Sequence, residues 1–251
     1  MQKTPEYLIF DTQEALFAHA AAHVQQLAEE AVAARGRFLF VLSGGSTPAP
    51  LYRRLAQATG FPWPQTYVFW GDERMVPPHH PGSNFGQARE LLLDHVPVAP
   101  EHVYRIRGEM DRVSAAEAYA HELLQLAGEY LPWPRFDLVL LGLGSDGHTA
   151  SLFPGSTFPV RKGQATLAVS AGYDDRPAGR VTLTPSVFNS ARNIVFLVTG
   201  GEKAEAVAAV LGQEADRVQW PAQRIRPDKG TLTWLLDREA AALLPAAPEG
   251  L

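Results

Sequence analysis

The chain has 251 residues, 46% of them hydrophobic and 20% charged, with a formal net charge of −5 and no cysteine. That length suffices for a full hydrophobic core, and an acidic balance without a basic block speaks against a duplex nucleic-acid binder. The missing thiols exclude a disulfide scaffold, a cysteine zinc site and a cysteine nucleophile, and they fit a reducing compartment.

Met1 to Phe10 lacks the basic start and apolar core of a signal peptide, and Tyr7 to Phe10 reads as a short strand. Asp11 is placed as an N-cap with Glu14 three residues on as its capping-box partner. Leu16, Ala20, Val24, Leu27 and Ala31 then make one helical stripe that Gly36 ends. Phe38 to Leu42 is an apolar run of strand length, followed by Ser43-Gly44-Gly45-Ser46-Thr47-Pro48. Thr47 and Pro48 form an N-cap and first helical position, with the helix running toward Ala58. Tyr67 to Trp70 is the next strand and ends in Gly71-Asp72-Glu73-Arg74. Helices follow near Phe85 to Leu93 and over Val113 to Tyr130. Phe136 to Leu141 reads as a central strand, ending in a second glycine-rich loop. Strands at Arg180 to Leu183, Asn193 to Thr199 and Thr231 to Leu236, with a helix over Glu202 to Leu211, complete the pattern. The tail from Pro245 to Leu251 is expected to fray.

Apolar strands separated by helices predict an α/β fold with a mostly parallel sheet covered on both faces. With no internal repeat and no low-complexity linker, one domain over residues 1–251 is expected. No apolar run approaches the length of a membrane span, Phe136 to Leu143 being among the longest, so a cytoplasmic protein is expected.

In open α/β sheets ligands gather at the carboxyl ends of strands, and three such ends are polar and glycine-rich here. Ser43 to Thr47, leading into a helix N-terminus, has the composition of a phosphate cradle, although it lacks the Lys-Ser/Thr ending of a Walker A loop. The same composition suits a tight turn. Gly142-Leu143-Gly144-Ser145-Asp146-Gly147 matches GxGxxG. A dinucleotide site is nevertheless opposed by Pro154-Gly155, which stops the following helix too early. Asp146 and His148 can face one pocket, where an imidazole would transfer protons and a carboxylate would orient it. A capping aspartate and a structural histidine are the plainer alternative. Arg180 and Lys203 could each serve a phosphate or merely the surface. His19 and His23 read as one helix surface, His79-His80 as loop, and no GxSxG elbow is present.

Together, Ser43 to Pro48, Trp70 to Arg74 with Ser83-Asn84, the run GLGSDGHTASLFPG from Gly142 to Gly155, Arg180 to Thr184, and Thr199-Gly200 with Lys203-Ala204 resemble the 6-phosphogluconolactonase family. The resemblance spans nearly the whole chain. It implies a Rossmann-like fold similar to glucosamine-6-phosphate isomerases and hydrolysis of 6-phosphogluconolactone, without metal, nucleotide or other cofactor. The implied phosphate site is Ser43, Gly44, Gly45, Ser46 and Thr47, with Arg180 and Lys203 as cations. The implied catalytic group is His148 as base, with Asp146, Asp72 and Arg74. The implied partner is the small-molecule lactone, linked by pathway to glucose-6-phosphate dehydrogenase but not by a stable complex. An isomerase or deaminase of the glucosamine-6-phosphate type is the first alternative. It calls for a glutamate five residues after the loop histidine, where this chain has Phe153. A non-enzymatic sugar-phosphate sensor is the second, and it would be expected to carry a DNA-binding helix that this acidic chain lacks.

Overall fold

The computed structural model describes residues 6–156, 163–172, 177–212 and 214–245, so the tail after Pro245 lies outside them. Ten strands run as β1 (Glu6–Phe10), β2 (Phe38–Leu42), β3 (Thr66–Trp70), β4 (Asp72–Arg74), β5 (Val103–Tyr104), β6 (Leu138–Leu141), β7 (Thr166–Ser170), β8 (Gly179–Leu183), β9 (Asn193–Val198) and β10 (Thr231–Asp237). The described residues also form six α-helices: α1 (Gln13–Arg35), α2 (Ala49–Ala56), α3 (Asn84–Leu91), α4 (Arg112–Gln125), α5 (Pro185–Asn189) and α6 (Ala204–Leu211).

Seven strands form one sheet in the order β1-β10-β9-β6-β2-β3-β5, every neighbouring pair parallel. The expected parallel α/β sheet is therefore present. β2 and β6, at the centre of the sheet, are buried at every position, whereas β1 sits at the edge and leaves Ile9 exposed. From β2 the chain winds outward through β3 to β5; from β6 it winds the other way through β9 and β10. The winding reverses between β2 and β6, and the carboxyl ends of those two strands therefore flank a natural crevice. A smaller antiparallel sheet, β4-β8-β7, stands beside it.

The first helix shows the local logic. α1 buries Leu16, Phe17, Ala20, Val24, Ala28 and Ala31, a single face at helical spacing, and packs against β1, β2, β10 and α2. Its cap is Thr12, not Asp11: the Ala15 N–H donates to Thr12 Oγ1 at 3.1 Å. Glu14 does not close a capping box but pairs with Arg54 of α2. Gly36 ends the helix at φ 73°, as expected. At α2 the expected Thr47 cap is absent, because Pro48 already has helical torsions and no side chain caps Ala49. α4 ends at Gln125, short of Tyr130, since Gly128 and the aromatic and proline residues after it cannot extend the packed face.

Two strand ends are finished by side chains rather than backbone. Beyond β2, the Ser43 N–H donates to the Tyr52 hydroxyl at 3.0 Å, and that hydroxyl donates back to the Ser43 carbonyl at 2.5 Å. At the end of β3, Tyr119 does the same for Trp70, at 3.1 and 3.0 Å. β5 pairs only with Val68 and Phe69, so Trp70 has no strand neighbour on that side. Burial pushes both phenols upward, which keeps them protonated and able to donate.

Candidate active site

Loops after β9, β6, β2 and β3, four adjacent strands, wall a cavity of about 460 Å³. Its lining includes Ser43 to Thr47, Asp72, Arg74, Gly142 to Gly144, His148, Thr199 and Lys203. Gln13, Phe17, Asn84, Ala150 and Glu202 join them, none of which had been assigned a role from sequence.

The loop after β2 meets α3 closely. A Cβ at Gly44 would fall 1.9 Å from Asn84 Oδ1, so only glycine fits there. Among the described residues, the backbone N–H groups of Gly44, Gly45, Ser46 and Thr47 have no hydrogen-bond acceptor. Four consecutive uncommitted donors beside the start of α2 are the arrangement that anion binding requires.

The loop after β6 is cross-linked to itself. Gly144 N–H donates to the His148 carbonyl at 2.8 Å, Gly147 N–H to the Gly144 carbonyl at 2.9 Å, and Thr149 Oγ1 to the Gly142 carbonyl at 2.8 Å. Asp146 Oδ1 lies 2.5 Å from His148 Nδ1 and also accepts the His148 N–H at 3.1 Å. A Cβ on Gly144 would fall 2.0 Å from His148 Nδ1, so the ring packs closely against the loop that carries it and only glycine fits there. With the carboxylate on Nδ1, that nitrogen carries the hydrogen and Nε2 is the basic one. The Phe153 ring lies 5.4 Å from that of His148, giving the imidazole an apolar neighbour. Ala150, just after the histidine, has φ 48°, the one positive value at a non-glycine among the described residues.

Asp72, Glu73 and Arg74, read from sequence as the polar end of a strand, form a strand of their own, β4. Three successive charges hide the strand pattern, and burial is made tolerable by partners. Glu73 is 1% exposed and accepts the backbone N–H groups of Arg74, Asn84 and Phe85 and the Ser83 hydroxyl. Burial nevertheless pushes its carboxyl up to about 7, outweighing the three backbone donors, which pull it down. Asp72 accepts from Ser151 Oγ at 2.6 Å and from Asn84 Nδ2 at 3.2 Å. Arg74 donates to the Gly82 carbonyl at 2.7 Å.

The two expected phosphate cations part company. Lys203 closes a 3-10 turn, Gly201–Lys203, immediately before α6 and lines the cavity. The turn before it is held by buried Asp237, which accepts the Gly200 N–H at 3.0 Å. Arg180 does not line the cavity: it is buried in β8, paired in register with Arg74. The weaker histidine candidates stay structural. His19 and His23 stack with ring centroids 6.1 Å apart, and His80 Nδ1 accepts the Gly82 N–H. Among the described residues no three His, Asp or Glu side chains gather as a metal group, and no helix is long and apolar enough to cross a membrane.

Known proteins are similar to this chain in sequence and fold. Residues 11–234 match the family model described as glucosamine-6-phosphate isomerases/6-phosphogluconolactonase. The chain is 40% identical over 241 residues to a 6-phosphogluconolactonase from Synechocystis sp., covering 94% of this chain and 97% of that one. It is also 40% identical over 246 residues to a 6-phosphogluconolactonase from Mycobacterium tuberculosis, covering 95% and 98%. The solved structure of 6-phosphogluconolactonase from Trypanosoma brucei superposes with a TM-score of 0.87 at 31% identity, covering 98% of this chain and all of that one. A monomeric glucosamine-6-phosphate deaminase superposes with a TM-score of 0.82 at 23% identity, covering 95% and 99%, a likeness of fold alone. The chain belongs to the glucosamine-6-phosphate isomerase/6-phosphogluconolactonase family.

Proposed function

We propose that this chain hydrolyses 6-phospho-D-glucono-1,5-lactone to 6-phospho-D-gluconate, the second step of the oxidative pentose phosphate pathway, in the cytoplasm. The carrying observation is that His148, held by Asp146, lines the same cavity as four uncommitted backbone donors. An anion seated on Ser43 to Thr47 and met by Lys203 leaves the far end of a six-carbon sugar at the histidine. Arg180, beside Arg74 in the ladder, adds positive charge without lining the wall.

Neutral His148 takes a proton at Nε2 from water as the water oxygen bonds to the lactone carbonyl carbon. The carbonyl π pair moves onto oxygen, where Arg74 or loop N–H groups meet the developing charge. The oxyanion then collapses, the bond from that carbon to the ring oxygen breaks, and His148 returns its proton to the leaving oxygen. The resulting acid ionises. Asp146 holds the ring in the needed tautomer throughout. General acid–base assistance of this kind contributes about 10²–10⁴-fold, which suits an already reactive ester.

Phe153 beside the histidine supports this reading over deamination, for which the family resemblance calls for an ionisable group there. The test feeds the protein with lactone generated by oxidation of glucose-6-phosphate. Faster loss of lactone than the spontaneous rate is expected, together with no ammonia from glucosamine-6-phosphate. Lactone loss at the spontaneous rate overturns the reading.

A further inference from the structure

Asp72 lines the cavity, yet its carboxylate is already engaged. Oδ2 accepts from Ser151 at 2.6 Å, Oδ1 from Asn84 Nδ2 at 3.2 Å, and the same Asn84 amide donates to the Asp72 carbonyl at 2.9 Å. These donors come from two different segments: Ser151 follows the histidine loop, and Asn84 opens α3. Ser151 is itself fixed, its N–H donating to Thr182 Oγ1 at 3.4 Å, and Thr182 stands opposite Asp72 in the β4–β8 ladder. The left-handed turn at Ala150 separates His148 on the cavity wall from Ser151 behind it.

We propose that Ser151 is a positioning residue: its hydroxyl aims the Asp72 carboxylate and ties it to the loop that carries His148. Ser151 is 1% exposed and does not line the cavity, so it does not touch substrate and is not a nucleophile. A short bond to an ionised acceptor is strong and directional, and Ser151 has no other acceptor among the described residues. A carboxylate with donors on both oxygens is a poor proton carrier. Asp72 therefore acts as a fixed negative charge and acceptor, one that orders water or a sugar hydroxyl beside His148. The link also sets the spacing between the ends of β3 and β6, from which Asp72 and His148 come.

This inference rests on the lactonase reading above, and the experiment separates the two. Lactone opening by the unmodified protein is measured first, since it reports on the reading alone. Ser151→Ala, Asp72→Asn and the double variant are then compared by kcat and KM, with 6-phosphogluconate affinity measured by calorimetry as a readout independent of turnover. Ser151→Ala is expected to lower kcat about tenfold, with KM and 6-phosphogluconate affinity within about threefold. In the Asp72→Asn background, where the charge to be aimed is gone, the same change is expected to cost less than about twofold. Turnover of Ser151→Ala within twofold of the unmodified protein overturns the proposal. So does a kcat loss that multiplies fully with that of Asp72→Asn, or one that a matching loss of 6-phosphogluconate affinity accompanies, since those mark a merely structural role. If the unmodified protein opens no lactone, a thermal-unfolding cycle on the same variants decides. Coupling between the two positions in Tm upholds the pairing, and additivity overturns it.

Discussion

The two glycine-rich loops at the centre of the sheet are built to opposite plans. The loop after β2 leaves four consecutive backbone donors uncommitted, whereas the loop after β6 commits the N–H groups of Gly144, Gly147 and His148 to its own carbonyls and to Asp146. Similar composition thus serves different ends. The first loop is finished only when an anion arrives. The second is tied around its histidine beforehand, which holds the imidazole at a fixed bearing and, on the proposed mechanism, spares the chemical step a reorganisation cost. The difference should divide their mutants, one loop governing turnover and the other governing hold on substrate.

Removing the group that the second loop carries should have the largest effect. His148→Ala is expected to lower kcat by about 10²–10⁴-fold, while calorimetry finds 6-phosphogluconate affinity changed only a few-fold. A loss of affinity as large as the loss of turnover would erase the proposed division. On the anion side, Lys203→Ala is expected to raise KM by about tenfold or more, the worth of one charge-assisted bond. Arg180→Ala, which removes a charge away from the cavity lining, should raise KM less. An Arg180 effect exceeding that of Lys203 would mean that the buried arginine turns toward the anion once substrate binds.

The smallest effect is one of stability. The Glu73 carboxyl is raised by burial to about 7 in the folded chain, above the ordinary value near 4.5. The folded state therefore holds this proton more tightly than the unfolded one. The stability it confers is present in full below about pH 4.5 and is lost as pH rises toward 7, by an amount on the order of 3 kcal/mol at most. Glu73→Gln cannot ionise, so its Tm should lack that fall between pH 4.5 and 7. Parallel Tm curves for the two proteins would show that the four donors around Glu73 offset its burial.

Local periodicity carried most of the large sheet, because β2 and β6 are buried along their length, β9 is buried beyond Asn193, and all three read as apolar runs. What it missed depends on partners far along the chain. Asp72 to Arg74 looks like a solvated loop until Ser83, Asn84 and Phe85 bring the donors that let Glu73 be buried. β5 is two residues long, too short for any pattern to register. Arg180 was placed on a strand correctly, but its proximity to Arg74 is a matter of register between strands about a hundred residues apart. The contact between Asp146 and His148 is legible because both belong to one short loop. That of Ser151 is not, for its acceptor lies 79 residues away.

The tyrosines that finish β2 and β3 bear on how the crevice stays open. A strand end normally needs another stretch of main chain to satisfy it, and that stretch would occupy the space into which the neighbouring loops turn. A phenolic hydroxyl both gives and receives, so one oxygen atom stands in for a whole peptide unit. Tyr52 and Tyr119 make this replacement from beneath, where their rings are buried in the core. Entry to the sheet's carboxyl edge is thus secured by two side chains whose other ends belong to the foundation, and the doorway needs no lintel of its own.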